Sequence, residues 1–125
     1  PEERFALSAD LGSDQIYHYR FQAQNGSIVR TSITSAARPG DGPRHLIFSS
    51  NSRFVYVTNE LKSTITVFSY FPLMTVVQVI STLPANYTAP NTAAELVFHP
   101  LNERFLYASN RGHDSVAVFA VDSNT

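Results

Sequence analysis

The sequence predicts an all-β fold: a β-propeller fragment of about two and a half four-stranded antiparallel blades. Three observations predict it. Short β-branched and aromatic runs are broken by Gly, Asn and Asp, and no window of eleven or more residues carries a helical stripe. Arg4-Phe5-Ala6-Leu7-Ser8-Ala9-Asp10 aligns with Arg53-Phe54-Val55-Tyr56-Val57-Thr58-Asn59 and with Arg104-Phe105-Leu106-Tyr107-Ala108-Ser109-Asn110, at spacings of 49 and 51 residues. A second element follows each motif in register, as Ile16-Tyr17-His18-Tyr19, Ile65-Thr66-Val67-Phe68 and Val116-Ala117-Val118-Phe119.

Naming the strands of a blade A to D from the inside outward, the chain starts with B at 4–9, C at 15–21 and D at 27–34. An Asn25-Gly26 turn signal separates C from D. The second blade is complete, with A at 44–49, B at 53–58, C at 64–70 and D at 74–81. The third supplies A at 93–98, B at 103–109 and C at 115–121. Thr92-Ala93-Ala94-Glu95-Leu96-Val97 has an Ala-Ala start, but it runs into Phe98-His99-Pro100 and reads as a strand. These elements divide the chain into blade pieces 1–38, 39–85 and 86–125. A propeller closes its ring with about 4–8 blades, and open end strands expose unpaired backbone. The expectation is therefore a piece of a larger propeller, with the remaining blades as its packing partners. An oligomer completing the ring from short chains is the alternative.

Composition narrows the function. The 125 residues are 43% hydrophobic and 15% charged, with a net charge of −1. That balance suits a folded core and gives no generic basic surface for nucleic acid or anionic membrane. The absence of cysteine removes disulfides, thiol catalysis and Cys-based zinc sites, and it leaves the compartment open. No apolar run approaches the ~18 residues of a membrane helix. Of the nine basic residues only Lys62 is lysine, and arginine suits bidentate recognition of carboxylate or phosphate.

A meander places alternate connections on opposite faces, so the D-to-A links and B-to-C turns share one face around the channel. On it fall 10–14, 40–45, 59–62, 90–95 and 110–114, which hold most of the uncommon polar groups. Asp10, Asn59 and Asn110 fill one repeated slot, as expected of a small side chain bonding nearby backbone. Asp114 matches Asp14 as a turn brace, and His18 and His99 read as structural. The slot after Asn59 differs, reading Leu11, Glu60 and Arg111. The start of strand A likewise reads Arg44-His45 in one blade and Ala94-Glu95 in the next. Charge that diverges at an otherwise repeated position marks a candidate site, although solvated turns vary too. The candidates are Arg44, His45, Glu60, Glu95, Arg111 and His113.

At these residues the chain resembles the seven-bladed propeller lactonase family, which includes propeller-type 6-phosphogluconolactonases and fungal carboxy-cis,cis-muconate cyclases. The resemblance rests on Leu7–Asp14, Gly42-Pro43-Arg44-His45, Val57-Thr58-Asn59-Glu60-Leu61, Ser81-Thr82-Leu83-Pro84, Asn91–Glu95 and Asn110-Arg111-Gly112-His113-Asp114-Ser115. It implies a channel-face cleft using Arg44, His45, Glu60 and Arg111. A His-containing family segment upstream of these motifs and roughly four blades have no counterpart in this sequence, so the piece alone is expected to turn over little. For lactone hydrolysis, Glu60 is the expected general base and His45 or His113 the acid. Arg44 and Arg111, with Glu95 beside them, are expected to bind a small anionic substrate and to offset developing negative charge. A cyclase would use the same groups to hold a polycarboxylate. The rivals are a non-catalytic binding propeller and a metal-dependent lactonase in which Glu60, Glu95 and Asn110 supply oxygen ligands. No ligand spacing marks a metal site, and the expectation is no cofactor.

Overall fold

The computed structural model describes residues 4–122, with no helix among them. Ten strands follow in order: β1 (Phe5–Asp10), β2 (Gln15–Gln22), β3 (Ser27–Ser35), β4 (Pro43–Phe48), β5 (Phe54–Asn59), β6 (Thr64–Ser69), β7 (Thr75–Ser81), β8 (Thr92–Phe98), β9 (Phe105–Arg111) and β10 (Ser115–Ala120). Every strand expected from the sequence is present, with ends shifted by at most two residues. They form three antiparallel sheets, β1-β2-β3, β4-β5-β6-β7 and β8-β9-β10. The first strand of the middle sheet, β4, lies against β1 on one side and β8 on the other, so the inner strands of successive sheets converge.

Strand β5 shows why the pattern works. All six of its residues are buried, because both faces of the middle sheet are covered. Val55 and Val57 point toward the first sheet, packing with Ile16 and Phe68. Phe54 and Tyr56 point the other way, packing with Leu96, Phe98, Leu106 and Ala108 of the third sheet. Tyr56 and Phe98 meet edge to face with ring centroids 5.2 Å apart. Each fully buried side chain of this kind contributes roughly 1.5–3 kcal/mol. The outer sheets have one face with no neighbour among the described residues, and there Val116, Val118 and Ile28 stand exposed.

The hairpin turns repeat as the strands do. Asp14, Ser63 and Asp114 close the three B-to-C turns, and each has a left-handed backbone, at φ 61°, 51° and 51°. The Asp14 carboxylate accepts the amides of Gly40 and Gly42 at 2.6 and 2.8 Å, tying the β1–β2 turn to the β3–β4 link. Asp114 Oδ1 accepts the Gly112 amide within its own turn. On the opposite end, the Glu103 carboxylate accepts the Ser50 amide at 2.7 Å and its hydroxyl at 2.9 Å, joining the middle and third sheets.

Candidate functional site

The end of the molecule that carries the β1–β2, β5–β6 and β9–β10 turns also carries the β3–β4 and β7–β8 links. Backbone bonds join them. Ala36 donates to Asp14 O, Leu61 to Asp41 O, and Thr82 to Ser63 O. Glu60 is central to this weave: its amide donates to Gly42 O at 2.8 Å and its carbonyl accepts the Ala93 amide at 3.2 Å. Its backbone is thereby fixed between the inner link of its own sheet and the first strand of the next.

The Glu60 side chain takes one guanidinium on each carboxylate oxygen. Arg44 Nη1 lies 2.7 Å from Oε2 and Arg111 Nη2 lies 2.8 Å from Oε1. Arg44 comes from β4, and Arg111 ends β9 in the neighbouring sheet. The Arg44 hydrogen bond chiefly, and then that of Arg111, holds the Glu60 carboxyl below its ordinary range against the opposing effect of burial. The arginines are 35% and 49% exposed while Glu60 is only 16% exposed. Each guanidinium spends one nitrogen on Glu60 and keeps further N–H donors open to solvent.

A second pair sits beside the first. His45 Nδ1 and Glu95 Oε1 are 3.0 Å apart, joining β4 to β8 across exactly one repeat of 50 positions. The Glu95 carboxyl is also held low, first by His45, then by the Leu96 amide it accepts at 3.0 Å, with Arg44 adding an attraction. Both residues lie in β-bulges. Pro43 pairs with Asn59 and Leu46 with Val57, so Arg44 and His45 share the place opposite Thr58. Ala93 pairs with Asn110 and Leu96 with Ala108, so Ala94 and Glu95 share the place opposite Ser109. A bulge re-aims side chains at the end of a ladder. Here it occurs at the same position in two blades, and the side chains it re-aims meet.

The structure thus joins Arg44, His45, Glu60, Glu95 and Arg111 by their charged side chains, and His113 takes other partners. The His113 ring packs edge-on against Tyr87, with centroids 4.6 Å apart, and its Nδ1 lies 2.6 Å from Ser115 Oγ. Its amide donates to Asn91 Oδ1. No hydrogen bond or ion pair joins it to the charged cluster among the described residues. The repeated slot of Asp10, Asn59 and Asn110 is structural, though only Asp10 serves it by bonding local backbone, at Ser13. Asn59 donates to Thr64 and Thr66, and Asn110 exchanges bonds with Thr82 behind the site. His18 bonds Thr34 across the first sheet at 2.7 Å, and His99 Nδ1 accepts the Leu101 amide. Two contributors escaped the sequence reading. Ser109 Oγ accepts the Glu95 amide at 2.9 Å, and buried Asp41 accepts the Arg38 amide at 2.9 Å, shaping the link that leads into Arg44. Neither residue carries a signal beyond its type. No three His, Cys, Asp or Glu residues gather at metal-binding distance among the described residues.

Comparison with known proteins gives concordant matches. The family described as lactonase, seven-bladed beta-propeller, matches residues 1–125. A 6-phosphogluconolactonase of Bacillus subtilis is 34% identical over 125 residues, covering 98% of this chain and 35% of that protein. The structure of a periplasmic gluconolactonase from Pseudomonas aeruginosa superimposes with a TM-score of 0.87 at 31% identity, over 99% of this chain and 36% of that one. A structure from Lactobacillus plantarum gives 0.83 at 33% identity, over 95% and 38%. The chain therefore spans about a third of the length of the relatives it matches.

Proposed function

The chain belongs to the seven-bladed β-propeller lactonase family, and from that premise we propose that the native protein hydrolyses a small anionic lactone, with a 6-phosphogluconolactone as the best-fitting substrate. One observation carries the anionic preference: two guanidinium groups from adjacent sheets converge on a single carboxylate, at 2.7 and 2.8 Å, on side chains that remain 35% and 49% exposed. A phosphate or carboxylate arriving there meets two planar forks whose direction is already set. The names borne by the Bacillus and Pseudomonas relatives support a gluconolactone ring as the reacting group.

Lactone hydrolysis needs an activated water, a stabilised tetrahedral oxyanion, and a proton for the leaving alkoxide. Arg44, next to His45 in the chain, suits the second need, since a fixed donor acts where charge develops, and Arg111 suits binding of the substrate's anionic group. Glu60 was the base expected from sequence. Held low by two guanidinium partners, it is a weak base, and it suits better the task of fixing both arginines.

The test is turnover of glucono-δ-lactone and its 6-phosphate by the native protein, with and without a chelator. The expected result is acceleration over spontaneous hydrolysis, a lower KM for the phosphorylated substrate, and no effect of chelator. Tight binding of the phosphorylated acid without any acceleration would instead establish a binding propeller. Loss of activity with chelator would establish a metal-dependent one.

A further inference from the structure

We propose that His45 carries the proton in this site and that Glu95, from the neighbouring blade, is its positioning residue; this rests on the lactone-hydrolysing reading above. The geometry is that of a histidine oriented by a carboxylate. Glu95 Oε1 lies 3.0 Å from Nδ1. An ionised carboxylate only accepts, so the imidazole donates from Nδ1 and its Nε2 keeps a lone pair. No partner occupies Nε2 among the described residues, and the ring is 42% exposed.

Glu95 is unusually well fixed for a surface acid. The same Oε1 accepts the Leu96 amide at 3.0 Å, and the Glu95 backbone amide is held by Ser109 Oγ at 2.9 Å. The two bulges that deliver His45 and Glu95 interrupt otherwise regular ladders at matching positions, and they are the inner-strand irregularities of the middle and third sheets. Matching bulges also recur in the outer ladders, at His18/Tyr19 and Val67/Phe68, so what sets the inner pair apart is that the side chains it delivers meet. At the opposite end of the same inner strands, the Glu103 carboxylate joins the Ser50 turn across the two sheets without a bulge. The remaining candidates are otherwise engaged: Glu60 with two arginines, His113 with Ser115 and Tyr87.

The step balances. A water oxygen bonds to the lactone carbonyl carbon as His45 Nε2 takes a proton from that water. The tetrahedral oxyanion is met by an Arg44 N–H. The bond from carbon to the ring oxygen then breaks, and the Nε2 proton passes to the departing alkoxide. The product carboxylic acid gives its own proton to solvent, and His45 returns to its starting state. Throughout, the Glu95 carboxylate faces Nδ1 and stabilises the transient imidazolium.

The experiment uses the native protein and two variants. His45→Ala is expected to lower kcat by ~10²–10⁴-fold, the usual contribution of a positioned acid–base group. Added imidazole should restore part of that loss after the protein-free background is subtracted. Glu95→Gln keeps the volume and should lower kcat at least ~10-fold with KM within about twofold. In nitrogen-15 spectra, the native protein should show the Nδ1–H tautomer of His45, and Glu95→Gln should mix the tautomers, because an amide can donate as well as accept. If His45→Ala does not fold, Glu95→Gln and the spectra decide. Lactone turnover that survives His45→Ala within about threefold overturns the role of His45 and leaves the lactonase reading standing. A Glu95→Gln variant with unchanged kcat, or a native ring protonated at Nε2, overturns the positioning role. Native protein that shows the tautomer but never hydrolyses a lactone overturns the lactonase reading and the proton transfer together.

Discussion

Replacing Arg111 by lysine keeps the charge at the site and removes the fork. In the structure Arg111 Nη2 holds Glu60 Oε1 at 2.8 Å while the guanidinium is 49% exposed, so one nitrogen is committed and the other donors are available. A lysine ammonium is a point charge with tetrahedral donors, and it cannot brace Glu60 and present parallel N–H groups to an anion in one plane. The change thus removes about one charge-assisted hydrogen bond to the substrate anion, worth ~1.5–3 kcal/mol when desolvated. With half of the side chain in solvent the value falls below that range, to about 1 to 1.5 kcal/mol, or roughly 5- to 12-fold in affinity. Arg111→Lys should therefore raise KM for the anionic lactone, and the Kd of its ring-opened acid, by that factor, with kcat within about threefold. Measured across a salt series, the lysine variant should keep the native slope, and Arg111→Ala should flatten it, because only alanine removes the charge. Equal Kd values for arginine and lysine would refute the fork argument and leave only a diffuse electrostatic role. A collapse of kcat at constant KM would refute the assignment of Arg111 to anion binding.

Two further outcomes are expected. Gly112 has φ 124°, and a Cβ there would stand 2.3 Å from the Pro90 carbonyl oxygen, so Gly112→Ala should destabilise the native protein by roughly 2 kcal/mol or more and raise KM by displacing Arg111; an unchanged thermal melt would show that the turn yields freely. The Glu60 carboxyl is held below its ordinary range in the folded protein, so its ion pairs add stability that is fully present above its unfolded pKa of about 4.3 and lost as pH falls through the lower folded value. The difference in Tm between native protein and Glu60→Gln should accordingly be constant from about pH 7 to pH 5 and shrink below about pH 4; a difference that grows toward acid would reverse the sign of this linkage.

The strands were legible because two signals agree. A β-branched and aromatic run bounded by turn residues marks each one, and the repeat places it. The largest shift at a strand's start has a side-chain cause: β9 begins at Phe105 rather than at position 103 because Asn102 Oδ1 accepts the Arg104 amide and prolongs the turn. The charged cluster was legible for a different reason. Scaffold positions repeat from blade to blade, so Leu11, Glu60 and Arg111 in one slot stand out against the constant Asp or Asn before them. The same criterion includes His113, whose ring is held by Tyr87 and Ser115, contacts that the repeat does not reveal. The bulges were not legible at all. A bulge belongs to the pairing of two strands, and neither Pro43-Arg44-His45-Leu46 nor Ala93-Ala94-Glu95-Leu96 shows it alone.

Two of the three pairs in the cluster, His45–Glu95 and Arg111–Glu60, cross a boundary between sheets, and Arg44–Glu60 lies within one. Arg44, His45 and Glu60 belong to the middle sheet, and Glu95 and Arg111 to the third. The distances of those two pairs are thus distances between blades, and they can be no more constant than the packing that separates those blades. That packing is the apolar layer of Phe54, Tyr56, Leu96, Phe98 and Leu106, with the Ala93-to-Glu60 backbone bond at its upper edge. A core substitution there acts on two things at once. Shortening Leu96 or Leu106 removes buried volume, and any rotation of the third sheet into the space also moves Glu95 relative to His45 and Arg111 relative to Glu60. Charge alone can hold an anion through a small shift, since Coulomb attraction varies slowly with distance. An oriented imidazole cannot, because hydrogen-bond geometry fails within a fraction of an ångström. The interior between these two blades therefore governs proton transfer more tightly than it governs anion binding.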